Sequence, residues 1–224
     1  MNGELFEALV LASAGIASVG QILLVLLVLT AEDGVKKALA YSLGMTGVLF
    51  AVGQGALVLG SRVQESQPES SGPGAAAYVS VILGCLLLTL AVRTWRKPKP
   101  EEGTRPALFA SLDSATATRL LGMGMLVGGI NVKNLAIYLS AVDVVVRARL
   151  PWIQGALMVT LVTFVFCLCV LGPIALFAMG GQRGRRMLDA FRAWLEANFR
   201  AVAIGAMLVF GSAFVARGAH LFLG

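Results

Sequence analysis

The chain has 224 residues, of which 58% are apolar and only 13% charged, with a mean hydropathy of +0.83. A soluble domain carries about 25% charged residues, so this composition excludes an ordinary water-soluble fold and points to an integral membrane protein. The net charge of +6 is then no nucleic-acid footprint; what matters is the side on which Lys and Arg collect.

The N-terminus, MNGELFEALV, carries Glu4 and Glu7 and no Lys or Arg, unlike the positive start of a secretory signal peptide. Runs long enough for the roughly 30 Å hydrocarbon core fall at about 5–29, 38–60, 75–93, 120–146, 152–179 and 201–223. They predict an all-α membrane protein with six transmembrane helices. In the first, ASAGIASVGQ sets Ser13, Gly15, Ser18, Gly20 and Gln21 in mid-span, with Ser13, Ala17, Gly20 and Gln21 on one face. Small residues so spaced either seat a neighbouring helix or interrupt this one at a binding site, and the sequence leaves both open.

The connection RVQESQPESSGPG reads as an exposed polar loop. The longest connection, RTWRKPKPEEGTRPALFASLDSATATR, reads as a flexible cytoplasmic linker over 94–119. It divides a first three-helix half, 1–93, from a second, 120–224. Gly44 with Gly47, and Gly124 with Gly128, read as packing seams. Gly172-Pro173 predicts a kink near the cytoplasmic end of helix five. Over about 183–199, Met187, Leu188, Phe191, Trp194, Leu195 and Phe199 recur at helical spacing opposite Arg185, Arg186, Arg192 and Glu196. That pattern predicts an amphipathic helix in the membrane interface.

Thirteen of the eighteen Lys and Arg fall in connections one, three and five, and four (Arg62, Arg147, Arg149, Arg217) at the opposite ends. The bias puts those three connections in the cytoplasm and both termini outside, in the cell (inner) membrane. One cation is left over. Lys133 lies thirteen residues into helix four, about 20 Å from its start. An ionised residue that deep costs on the order of 3 kcal/mol or more and marks a functional site by default. Around it, Gly128, Gly129, Asn131 and Asn134 are poor helix formers, and a break there frees backbone groups to line a cavity. No Asp or Glu lies near the middle of another span, and Asp143 is about 15 Å away along the same helix. Lys133 is thus available to an anion, such as a phosphate, sulfate or carboxylate; the structural alternative bonds it to carbonyls at a broken helix end.

The same lack of carboxylates speaks against a carboxylate proton relay and a hard-metal site. Cys85, Cys167 and Cys169 form no CxxC pair and read as apolar packing residues, which excludes thiol-redox membrane chemistry of the CcdA kind. His220 stands alone. With no nucleophile–base pair and no phosphate-cradling loop, no enzyme activity, metal or cofactor is expected.

Six helices in two halves, a small-residue break in helix one and Asn131-Val132-Lys133-Asn134 in helix four together resemble the LysE exporter superfamily. The match is nearest to its actinobacterial GAP branch of glycolipid- and sulfolipid-addressing proteins. Members show Asn-Pro-Lys in helix four and a Pro in the helix-one break; here Val132 and Ala14-Gly15 stand in those places, and weaker kinks are expected. The resemblance, with three helices per half, implies two inverted three-helix repeats, LysE-like. It implies export of a lipid or small amphiphilic substrate, by a transporter or a transport accessory for an anionic or glycosylated cell-envelope lipid. Lys133, Asn131, Asn134, Ser13, Ser18 and Gln21 would bind substrate, and Gly15, Gly128 and Gly129 would break the helices. The partners to consider are the membrane itself, an RND-type (MmpL-like) lipid transporter and a second copy of the chain as a homodimer, with no nucleic acid. The alternatives are an exporter of an amino acid or similar amphiphile and a non-transporting scaffold for a larger exporter.

Overall fold

A computed structural model describes residues 2–29, 31, 33–66, 75–96 and 115–223. Most of the predicted linker, 97–114, and the loop at 67–74 lie outside the described residues. The described residues are helical throughout. In chain order they form α1 (Asn2–Ser13), a 3-10 turn (Ala14–Ala17), α2 (Val19–Leu29), α3 (Gly34–Ser66) and α4 (Ala75–Arg96). There follow α5 (Ala117–Ile130), α6 (Val132–Arg147), α7 (Trp152–Phe166), α8 (Leu168–Met179) and α9 (Gly181–Leu223).

Two helices are long and apolar enough to cross a membrane, Gly34–Arg62 within α3 and Arg200–His220 within α9. Two bent pairs bring the number to four if each is one span. One is α5 with α6, bent by 66°, and the other α7 with α8, bent by 65°. These cover the second, fourth, fifth and sixth expected spans. The first expected span is interrupted at 14–18, and the third falls on α4.

Three local details depart from the sequence reading. The bend in helix five comes at Cys167, not at Gly172-Pro173, and Pro173 sits inside α8. The ring of a proline presses on the turn before it, so the distortion falls N-terminal to the proline. The bend in helix four is sharp although Val132 replaces proline, because Asn131 caps α6 itself. The amphipathic stretch about 183–199 is helical but continuous with the last span, within one helix of 43 residues. No breaker falls between Arg185 and Ile204, so nothing turns the chain. At 1.5 Å per residue α9 is about 65 Å long, roughly twice the hydrocarbon core.

Two close helix pairs frame the bundle. On α3 and α5, Gly44 faces the Leu121 carbonyl and Gly124 the Tyr41 carbonyl, leaving no room for a Cβ at either place, and Gly128 continues the seam along Met45. Gly47 takes no part, having open space around it. On α4 and α9, Gly84 lies against Gly211. Arg217 Nη1 donates to Ser80 Oγ at 3.1 Å, and the Arg200 guanidinium donates to the Trp95 carbonyl at the far end. Arg217 Nε also pairs with Glu7 Oε1 at 2.7 Å, which ties α1 to this pair near both termini. The core between the pairs is aromatic and aliphatic, with Tyr41, Met45, Leu49, Tyr138, Val159, Phe166 and Phe214 all buried.

Gly124→Leu should cost about 1–3 kcal/mol by driving a side chain into the α3 backbone, whereas Gly47→Leu should stay within about 0.5 kcal/mol. Thermal unfolding of the two variants in detergent checks this; equal melting temperatures would contradict the seam.

Candidate functional site

The site is built where two helices break side by side. The first break ends the 3-10 turn at Ser18, whose backbone lies at φ −76°, ψ 73°. The second ends α5 at Asn131, at φ −71°, ψ 84°. Each break residue donates its N–H back into the preceding turn, to Gly15 from Ser18 and to Val127 from Asn131. Each carbonyl then opens the next helix: Ser18 accepts from Gln21 and Ile22, Asn131 from Leu135. Asn131 Oδ1 also accepts from the Asn134 amide at 3.3 Å, a side-chain cap for α6. In this way the orphaned helix ends are partly satisfied at membrane depth.

One side-chain bond joins the breaks. Asn134 Nδ2 donates to Ser18 Oγ at 3.1 Å, and both residues are buried. Beside it Cys169 Sγ contacts Gln21 Oε1 at 3.6 Å, which brings α8 into the same junction. Gly15 leaves the space that the Phe166 ring fills. That ring meets Tyr138 edge-on at 5.4 Å, and Tyr138 and Thr163 share a 2.7 Å hydrogen bond. The bend in helix five is thereby held against both broken helices.

A cavity of about 320 Å³ opens at the junction, at the small end of ligand pockets. Ser18, Gly20, Gln21, Asn131 and Lys133 line it from the two breaks. Tyr41 closes it from α3, Leu87 from α4, and Ala203, Ala206, Met207 and Phe210 from α9. Among the described residues Lys133 is the one charged side chain that lines the cavity, and no carboxylate joins it there. Asp143 is occupied elsewhere, paired with Arg147 at 2.8 Å. Two buried donors on the wall, Gln21 Nε2 and the Tyr41 hydroxyl, have no hydrogen-bond partner among the described residues. A buried donor so left costs about 1–3 kcal/mol. Ser42 is in the same condition but does not line the cavity.

The structure thus brings Lys133, Asn131, Ser18 and Gln21 to one cavity, with Asn134 directly behind it. Ser13 is not among them: its hydroxyl turns back to the Val10 carbonyl at 2.6 Å, at the end of α1. Gly128 and Gly129 stay helical within α5, and the break comes after them, at Asn131. Tyr41 and the α9 wall were missed. A tyrosine at the edge of an apolar span carries the sequence signal of an interfacial anchor, and nothing local says that it points inward. Among the described residues no group of His, Cys, Asp and Glu side chains is placed to hold a metal.

Asn134→Leu should cost about 1–3 kcal/mol, because it leaves the Ser18 hydroxyl buried and unpaired. Adding Ser18→Ala to that variant should cost far less than Ser18→Ala alone, which a double-mutant cycle of thermal stability measures. Strict additivity would mean that the bond contributes nothing.

No curated protein and no solved structure matches this chain. A family model described as Sap, sulfolipid-1-addressing protein, matches residues 8–220. With apolar helices suited to the bilayer and a match over nearly its whole length, the chain belongs to the sulfolipid-1-addressing protein family.

Proposed function

We propose that the protein carries an anionic or glycosylated envelope lipid out of the cytoplasmic leaflet, or prepares it for a larger exporter, and that Lys133 meets the headgroup. One observation carries this reading: among the described residues a single lysine, with no carboxylate beside it, lines a cavity between two broken helices. An ion so placed without a countercharge is costly, and an anionic ligand removes that cost. Ser18, Gln21, Asn131 and Tyr41 supply neutral hydrogen-bonding groups around it. The α9 wall of Ala203, Ala206, Met207 and Phe210 offers an apolar side along which acyl chains can lie. The family description, which speaks of addressing a sulfolipid, supports lipid rather than amino-acid cargo.

In this reading six helices cross the inner membrane as two inverted three-helix halves, with both termini outside. The matched backbone of Ser18 and Asn131 supports the repeat. So does the packing of α4 along α9, the third helix of each half. A second reading, a scaffold for a larger exporter, draws support from Met187, Phe191 and Trp194, exposed on the part of α9 that precedes its membrane-crossing segment.

Envelope-lipid profiling of a deletion strain tests both. Loss of an outer anionic lipid on deletion, restored by the wild-type chain but not by Lys133→Met, is the expected result. Restoration by Lys133→Met would favour the scaffold, and unchanged lipids on deletion would overturn lipid export.

A further inference from the structure

The two helix breaks share the backbone form of their break residues and can be set in register by them. Ser18-Val19-Gly20-Gln21 aligns with Asn131-Val132-Lys133-Asn134, each starting on the break residue. In this register Gln21 answers to Asn134, and both reach into the junction, Gln21 to Cys169 and Asn134 to Ser18. Gly20 answers to Lys133, and both line the cavity. A Cβ built on Gly20 would meet nothing within 4 Å. Nothing therefore crowds a side chain off this position, and the chain carries a glycine there instead of a second cation.

This asymmetry sets the charge of the site. Among the described residues one lysine and no carboxylate line the cavity, so with Lys133 as an ammonium a monoanion makes the occupied site neutral. A dianion would leave one negative charge in a region of low dielectric with nothing to offset it. The remaining oxygens of a monoanionic head need neutral donors. The Tyr41 hydroxyl and Gln21 Nε2 supply two; both residues are buried (0% and 5% exposed), and neither donor has a partner among the described residues.

We propose that the cavity selects singly charged oxyanions, a sulfate monoester or a phosphodiester, over the dianionic form of a phosphomonoester. Gly20 sets this preference by withholding a second cation. Tyr41 and Gln21 bind the oxygens that Lys133 does not reach. The proposal rests on the reading of Lys133 as the headgroup partner.

Three probes with one tail test it by calorimetry on the full-length protein in lipid nanodiscs: octyl sulfate, methyl octyl phosphate and octyl phosphate. With a second pKa near 6, octyl phosphate is largely dianionic at pH 8 and largely monoanionic at pH 5. Its affinity should fall about tenfold or more between pH 5 and pH 8, the factor that 1.4 kcal/mol represents. The two fixed monoanions should bind equally at both pH values, and the tighter of them names the natural headgroup chemistry. Tyr41→Phe should weaken all three about tenfold, the low end for a hydrogen bond to a charged group. Gly20→Lys should reverse the preference, so that octyl phosphate at pH 8 binds best. Equal binding of octyl sulfate and octyl phosphate at pH 8 by the wild type, lost in Lys133→Met, would overturn the charge rule and leave the anionic-headgroup reading intact. Binding indifferent to Lys133→Met would overturn that reading itself. The wild-type comparison needs no variant, so it decides even if Gly20→Lys fails to fold.

Discussion

The 3.1 Å hydrogen bond from Asn134 to Ser18 ties together the two places where this chain abandons regular helix, and the cavity exists because of that tie. Inside a bilayer there is no water to receive the amides and carbonyls that a broken helix releases, so each must find a partner in the protein. Ser18 and Asn131 meet that demand alike, closing one turn backward and opening the next helix forward. Breaks that satisfy themselves locally leave the side chains beside them for other use. Gln21 and Lys133, flanking the junction, are the result.

Close packing elsewhere holds the breaks in register. The glycine seam between α3 and α5 brings the two backbones into contact, and that contact carries Tyr41 to the cavity edge. Across the bundle, α9 runs beside α4 from Arg200 to Arg217, and its small residues at 203 and 206 form the wall opposite Lys133. Phe166, seated on Gly15, makes the bend in helix five part of the same junction. A shift of any of these helices would open or fill a cavity of only about 320 Å³. Interiors packed this closely change by steps rather than by gradual deformation.

The two breaks around the cavity share the backbone form of their break residues but carry different side chains. The two break motifs share only their valine, and at the third residue one carries glycine and the other lysine. Both of these positions line the cavity, so the two breaks contribute one basic side chain between them.

By itself the sequence determined the apolar, bilayer-suited character of the chain, the position of most apolar helices, and the place of Lys133 in an apolar run without a nearby Asp or Glu. These follow from composition, run length and charge placement, which the bilayer enforces residue by residue. It also marked the polar stretches of helices one and four, because glycine, serine and asparagine in mid-span are visible without knowing their neighbours. Only the tertiary structure decided that Ser18 and Asn134 bond, that Ser13 turns away, that the bend in helix five comes at Cys167, and that Tyr41 faces the cavity. Each depends on a contact between residues far apart in the chain. A hydropathy pattern carries which residues are buried, but not which buried residues meet.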